Sequence, residues 1–186
     1  MTLNEMKKKA LGLIEEVNPD SAVLTDDPDI ATKQNDVVNQ VMFELVRIKK
    51  LAKYVEMKVT AGDLITFEDI GTAVGYDIYQ RGNVGGVRFV PKANGSVLKI
   101  METGTLEVDC FVYPERITEK TSGSYEFEIS DDVLEIMPYG IAADLLKSDK
   151  SSEYGRIYAA RYEQMLQRLD PRNSMTSIYI EGGVNI

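Results

Sequence analysis

The hydrophobic pattern of this chain changes period twice, and those two changes restrict its fold more than its composition does. Up to about residue 53 apolar side chains recur every three or four positions; from Tyr54 to Ser130 they alternate; after that the helical spacing returns. Thr2-x-x-Glu5 is the spacing of a capping box, and Leu3, Met6, Ala10, Leu13, Ile14 and Val17 follow at helical intervals until Asn18-Pro19. Asp26, Asp27 and Asp29 beside Pro28 suit the start of a second helix, where carboxylates meet the positive end of the dipole. Its stripe of Val37, Val41, Leu45, Ile48 and Ala52, widened by Val38 and Met42, predicts a helix over about 29–53.

The middle third reads as short strands. YVEMKVT, LITFEDI, GYDIYQR, GVRFVPK, SVLKIME, LEVDCFVY and SYEFEIS are rich in β-branched and aromatic residues and are separated by Gly, Asn or Pro. Thr103-Gly104-Thr105 and Lys92-Ala93-Asn94-Gly95 suit hairpin connections, and Gly82-Asn83-Val84-Gly85-Gly86 suits a hairpin turn better than a phosphate loop, because it lacks the Lys-Ser/Thr and opens no helix. From Ser130-Asp131-Asp132 a further helix carries Pro138, which either kinks or restarts it, and an apolar side of Ile141, Leu145 and Leu146. Ser148 to Ser152 break it. A last helix runs to about Leu169 on Ile157, Tyr158, Arg161, Tyr162 and Met165, and Asp170-Pro171 stops it. The expected fold class is α+β: a four-helix body, two helices from each end, with an inserted antiparallel β-sandwich or small barrel. The expected division is a helix pair over 1–54, the β domain over 55–130, a helical hairpin over 131–170 packing on 1–54, and an extended tail over 171–186.

The chain of 186 residues contains no histidine and a single cysteine. That removes Ser–His and Cys–His nucleophiles, the common zinc sites and an internal disulfide. Cys110 alternates with Leu106, Val108 and Val112, the pattern of a buried and inert thiol. The net charge of −9 is concentrated between Ile100 and Asp132, where nine acids face Arg116 and Lys120 for a local charge of −7. Such a surface repels phosphate backbones; a strand face kept soluble by carboxylates has the same composition. Arg47, Lys49, Lys50 and Lys53 form a basic run, fit either for DNA or an acidic neighbour or simply for a helix C-terminus. The aspartates at 26, 27 and 29, and at 131 and 132, fit helix capping and lack the glycine and glutamate of a calcium loop, so no metal or cofactor is expected. Tyr154, Tyr158 and Tyr162 form an i, i+4, i+8 ladder suited to helix packing. The opening segment lacks the apolar core and cleavage site of a signal peptide, and no run has the length of a membrane span, so a cytosolic site of synthesis is expected.

After Pro171 the sequence RNSMTSIYIEGGVNI is too short for a domain and too apolar to lie idle in water. Ile178, Tyr179, Ile180, Val184 and Ile186 are the candidate contact residues, either folded back on their own sheet or added to another chain's. The stretch from Ser130-Asp131-Asp132 through a Pro-containing helix with Ala142-Ala143-Asp144-Leu145-Leu146 and Asp149, then Tyr158, Tyr162-Glu163, Leu166 and Leu169, resembles the C-terminal helical hairpin of head–tail connector (adaptor) proteins of tailed bacteriophages. The N-terminal helix pair resembles the start of the same family. The resemblance implies a non-enzymatic virion protein at the head–tail junction, forming a ring, usually a dodecamer, that joins portal protein to a tail or tail-completion protein. DNA would pass through it without sequence-specific binding, no membrane would be involved, and the tail would reach a neighbouring subunit or the portal. The alternatives are another phage tail-completion or baseplate protein, and a carboxylate-dependent hydrolase acting on sugars.

Overall fold

The computed structural model describes residues 1–148 and 153–169. Helix α1 (Leu3–Leu13) opens on the expected capping box: the Glu5 amide donates to Thr2 Oγ1 at 3.3 Å and the Thr2 amide donates to Glu5 Oε2 at 2.8 Å. Helix α2 (Pro28–Ile48) is capped by Asp27, whose Oδ1 accepts from the amides of Asp29 at 2.8 Å and Ile30 at 3.1 Å. It stops five residues short of the expected end. Nothing in RIKKLAK breaks a helix; the chain turns at Lys49-Lys50 because Leu51 to Val59 gain more by pairing as a strand.

That strand is β1 (Leu51–Val59). After it come β2 (Leu64–Thr66), helix α3 (Phe67–Val74), β3 (Ile78–Gly85), β4 (Phe89–Lys92), β5 (Val97–Ile100) and β6 (Gly104–Val112). The strands form two separate antiparallel sheets of three, ordered β1-β6-β3 and β2-β5-β4. Neither closes into a barrel, so the expected sandwich or barrel is corrected to two small sheets that share one apolar core with α3. Val55, Leu106, Val108, Cys110 and Val112 face that core from the first sheet, Ile65, Leu98 and Ile100 from the second, and Ile70 from α3. Cys110 is fully buried there, with its thiol toward the Lys53 carbonyl at 3.3 Å.

Helix α3 is what the strand reading missed. LITFEDI alternates, but Thr66-x-x-Asp69 is a second capping box, with the Thr66 amide donating to Asp69 Oδ2 at 2.7 Å. The described chain therefore has five α-helices, not four. The glycine run is also no hairpin, since β3 and β4 lie in different sheets. It ends β3 with a register shift between Arg81 and Val84, and Gly86 turns the chain at φ +81°. A Cβ at Gly86 would lie 2.2 Å from the Thr105 carbonyl oxygen, so only glycine fits. Thr103-Gly104-Thr105 likewise crosses between sheets and does not close a hairpin, whereas β4 and β5 are joined through Ala93–Gly95.

SYEFEIS keeps its alternation, with Phe127 and Ile129 buried and Glu126 and Glu128 exposed, but it joins neither sheet. One isolated bridge links Thr2 to Glu126, and the apolar side packs on the helices. Asn39 of α2 holds the loop that leads into this segment: its Nδ2 donates to the Ile117 carbonyl and its Oδ1 accepts from the Ile117 amide, both at 2.8 Å. Helix α4 (Asp131–Leu145) runs unbroken through buried Pro138, and α5 (Glu153–Leu169) packs antiparallel along it. Met6, Val38, Met42, Leu45, Met137 and Ile141 form the centre of the helical core. At Gly140 a Cβ would meet the Tyr162 ring at 2.8 Å and Val41 at 2.9 Å, so glycine lets α4 approach α5 and α2 closely.

Candidate interaction surfaces

Each cation of the basic run at the end of α2 stands at the surface with a partner in the same chain. Arg47 Nε donates to the Tyr113 hydroxyl at 2.6 Å, and its guanidinium lies 5.3 Å from that ring's centroid. Lys49 pairs with Asp132 in the first turn of α4. Lys50 donates to Gln80 Oε1 at 2.8 Å and sits 4.4 Å from the centre of the Phe111 ring. Lys53 pairs with Glu128 at 2.9 Å and lies 4.9 Å from the centre of the Tyr76 ring. Together with the Tyr79–Tyr113 and Phe43–Tyr113 ring contacts at 4.8 and 5.0 Å, Arg47, Lys50 and Lys53 make a seam between the helical body and the β unit. Sequence reasoning found the cations but not Tyr76, Tyr79, Phe111 and Tyr113. The available signal was the aromatic residues at the starts of GYDIYQR and the end of LEVDCFVY.

Electrostatics follow the same seam. The Tyr76 hydroxyl donates to Glu128 Oε2 at 2.6 Å, and this bond, with the one from Lys53, holds the Glu128 carboxyl below its ordinary value. Tyr76 itself is pushed up to about 12, first by that bond and then by burial. Lys49 lowers Asp132 in the same manner.

Above the seam is a groove of about 880 Å³ between α3 and the 114–116 loop. Phe43 and Phe67 form its apolar walls, Glu68, Asp77 and Glu115 line it, and Arg116 stacks over Phe43 at 4.8 Å. A second recess, about 520 Å³, lies between the starts of α1 and α2. Gln34 there is buried, its Nε2 donating to the Val23 carbonyl at 3.1 Å, while its Oε1 and the Asn35 Oδ1 have no hydrogen-bond partner among the described residues. Burial lowers the pKa of Lys7 on the rim.

The outward face of the first sheet is acidic. Tyr54 stands opposite Asp109 and Glu56 opposite Glu107, so two carboxylates meet directly across the β1–β6 ladder. Tyr54 is 55% exposed and donates to Glu56 Oε1 at 3.1 Å. Its pKa rises to about 12 through desolvation, that bond and the charges of Glu107 and Asp109. Lys58 lies at one end of the face, opposite Thr105, and Lys50 at the other.

The remaining sequence candidates fall apart as a site. Asp26 accepts from Asn18 Nδ2 at 2.7 and 2.8 Å, Asp27 caps α2, and Asp132 also accepts from the Val133 amide at 3.1 Å. Among the described residues no three His, Cys, Asp or Glu side chains converge as metal donors. Of the tyrosine ladder, Tyr162 is buried and donates to Glu44 Oε2 at 3.0 Å, Tyr158 donates to the Leu13 carbonyl, and Tyr154 faces outward. Ile178, Tyr179, Ile180, Val184 and Ile186 lie outside the described residues. No helix among the described residues is long and apolar enough to cross a membrane. Searches of known proteins returned no matching family model and no matching curated protein.

Proposed function

We propose that this chain is a structural virion protein that forms a ring joining portal to tail and continuing the DNA channel. The observation that carries the reading is the fate of the basic run. Each of Arg47, Lys49, Lys50 and Lys53 has a partner within the chain: Arg47, Lys50 and Lys53 join the helical body to the β unit, and Lys49 joins α2 to α4. The chain as a whole carries a net charge of −9. A conduit has to pass DNA without holding it, and an acidic body repels phosphate where a basic one would bind it. Ile178, Tyr179, Ile180, Val184 and Ile186 would then fasten one copy to the next or to the portal. They supply an apolar segment suited to adding onto another chain.

Tail joining tests the reading. Filled heads made without this protein should fail to accept tails, and adding the purified protein should restore infectious particles. Heads that join tails equally well without it would refute the proposal. A tail-completion or baseplate protein is the second reading, favoured by the compact β unit with its exposed sheet faces. A gene placed among tail genes, away from those for portal and capsid, would favour it.

A further inference from the structure

The second sheet has an outward face opposite in character to the first. Across β2, β5 and β4 the register sets Leu64, Lys99 and Val90 in one row and Thr66, Val97 and Lys92 in the next. Leu64 is 60% exposed and Val90 38% exposed, and Lys99 and Lys92 are exposed beside them. No carboxylate stands on this face of the three strands. Both sheets turn their other sides to the same core, so the acidic face and the basic, apolar face both look outward from it.

We infer that these two faces are the two halves of one contact between copies. The Leu64–Lys99–Val90 face of one copy seats on the Tyr54–Glu56–Glu107–Asp109 face of the next. Three carboxylates, two of them directly opposed across strands, gain two lysines, and exposed Tyr54 gains apolar neighbours in Leu64 and Val90. The contact joins unlike faces and is therefore heterologous, so it repeats from copy to copy and closes a ring if the rotation allows. The geometry names the interface within the ring reading above and rests on it for closure. A strand of four residues spans about 13 Å and three strands span roughly 14 Å, so one contact is far smaller than the roughly 800 Å² per partner of a stable pair. Single pairs are weak, and stability comes when each copy is held on both sides, in a closed ring or on a portal template.

Charge reversal with mixing tests the inference. One variant carries Lys92→Glu and Lys99→Glu; the other carries Glu56→Lys and Glu107→Lys. All four positions are exposed, so thermal melts should match the parent chain. Assembly is followed by sedimentation velocity, alone and on purified portal at low salt. Each variant alone should assemble at least about tenfold more weakly, because repulsion replaces attraction at several exposed charges. An equimolar mixture should recover, since every contact then pairs unlike charges again, and recovery should fade at high salt. Variants that assemble like the parent would overturn the interface and leave the ring reading standing. Loss without recovery in the mixture would also overturn it. A parent chain that stays monomeric alone and on portal would overturn both.

Discussion

Asn39 is 7% exposed and binds both the amide and the carbonyl of Ile117, itself 3% exposed. Replacing it with alanine removes two hydrogen bonds and strands two backbone groups where water has little access. Each stranded group costs on the order of 1–3 kcal/mol, so Asn39→Ala should cost about 3 kcal/mol once partial rehydration is allowed. For a chain of this size that is a fall in Tm of roughly 6–12 °C. Urea unfolding at pH 7, with the same slope for both proteins, measures it directly. Asn39→Asp sharpens the test. As a carboxylate it still accepts from the Ile117 amide but confronts the Ile117 carbonyl; protonated, it can donate to that carbonyl again. Burial favours the protonated form in the fold, so its penalty should be full at pH 7 and shrink as the pH falls. A loss under about 1 kcal/mol for Asn39→Ala, or an Asn39→Asp penalty that ignores pH, would refute the claim that this residue anchors the loop.

Glu128 and Asp132 have folded pKa values below their ordinary values of 4.5 and 3.8, so their pairs add stability above those values and lose it as pH falls through the lowered ones. Tyr76→Phe should let Glu128 titrate closer to 4.5, visible by NMR, and should lessen the acid loss of stability by only a few tenths of a kcal/mol because the pair is half exposed. Gly86→Ala should destabilise by about 2 kcal/mol or more, from the positive φ and the clash with the Thr105 carbonyl, as read by thermal melting; a neutral result would mean the β3 turn relaxes. Deleting residues 174–186 should leave the circular dichroism of the helical body unchanged and weaken tail joining; unchanged joining would count against the tail as a fastener.

The helical parts were legible in the sequence because their signals are local. Thr2 with Glu5, Asp27 with Pro28, and the 3.6-residue stripes need no distant partner to act. The β region was legible as strands but not as an architecture. Register and sheet membership are set by partners far away in sequence, and alternation in LITFEDI concealed a capping box that needs only Thr66 and Asp69. SYEFEIS shows the same limit: alternation marked its buried side, but the helices and not a sheet receive it. The end of α2 was misplaced because pairing of Leu51 with Val112 outweighs a helix-compatible sequence. Of the surfaces, the acidity of 100–132 was visible in advance. Its division between pairs with Lys49 and Lys53 and an unpaired sheet face followed only from which strands pair.

The most direct measurement is the mass of the purified protein, alone and mixed with portal, by native mass spectrometry. A structural ring protein should give a single closed species on the portal, with a fixed whole number of copies per portal ring. A chain that remains one 20.8 kDa monomer at every concentration, ignores portal and cleaves a glycan would contradict it.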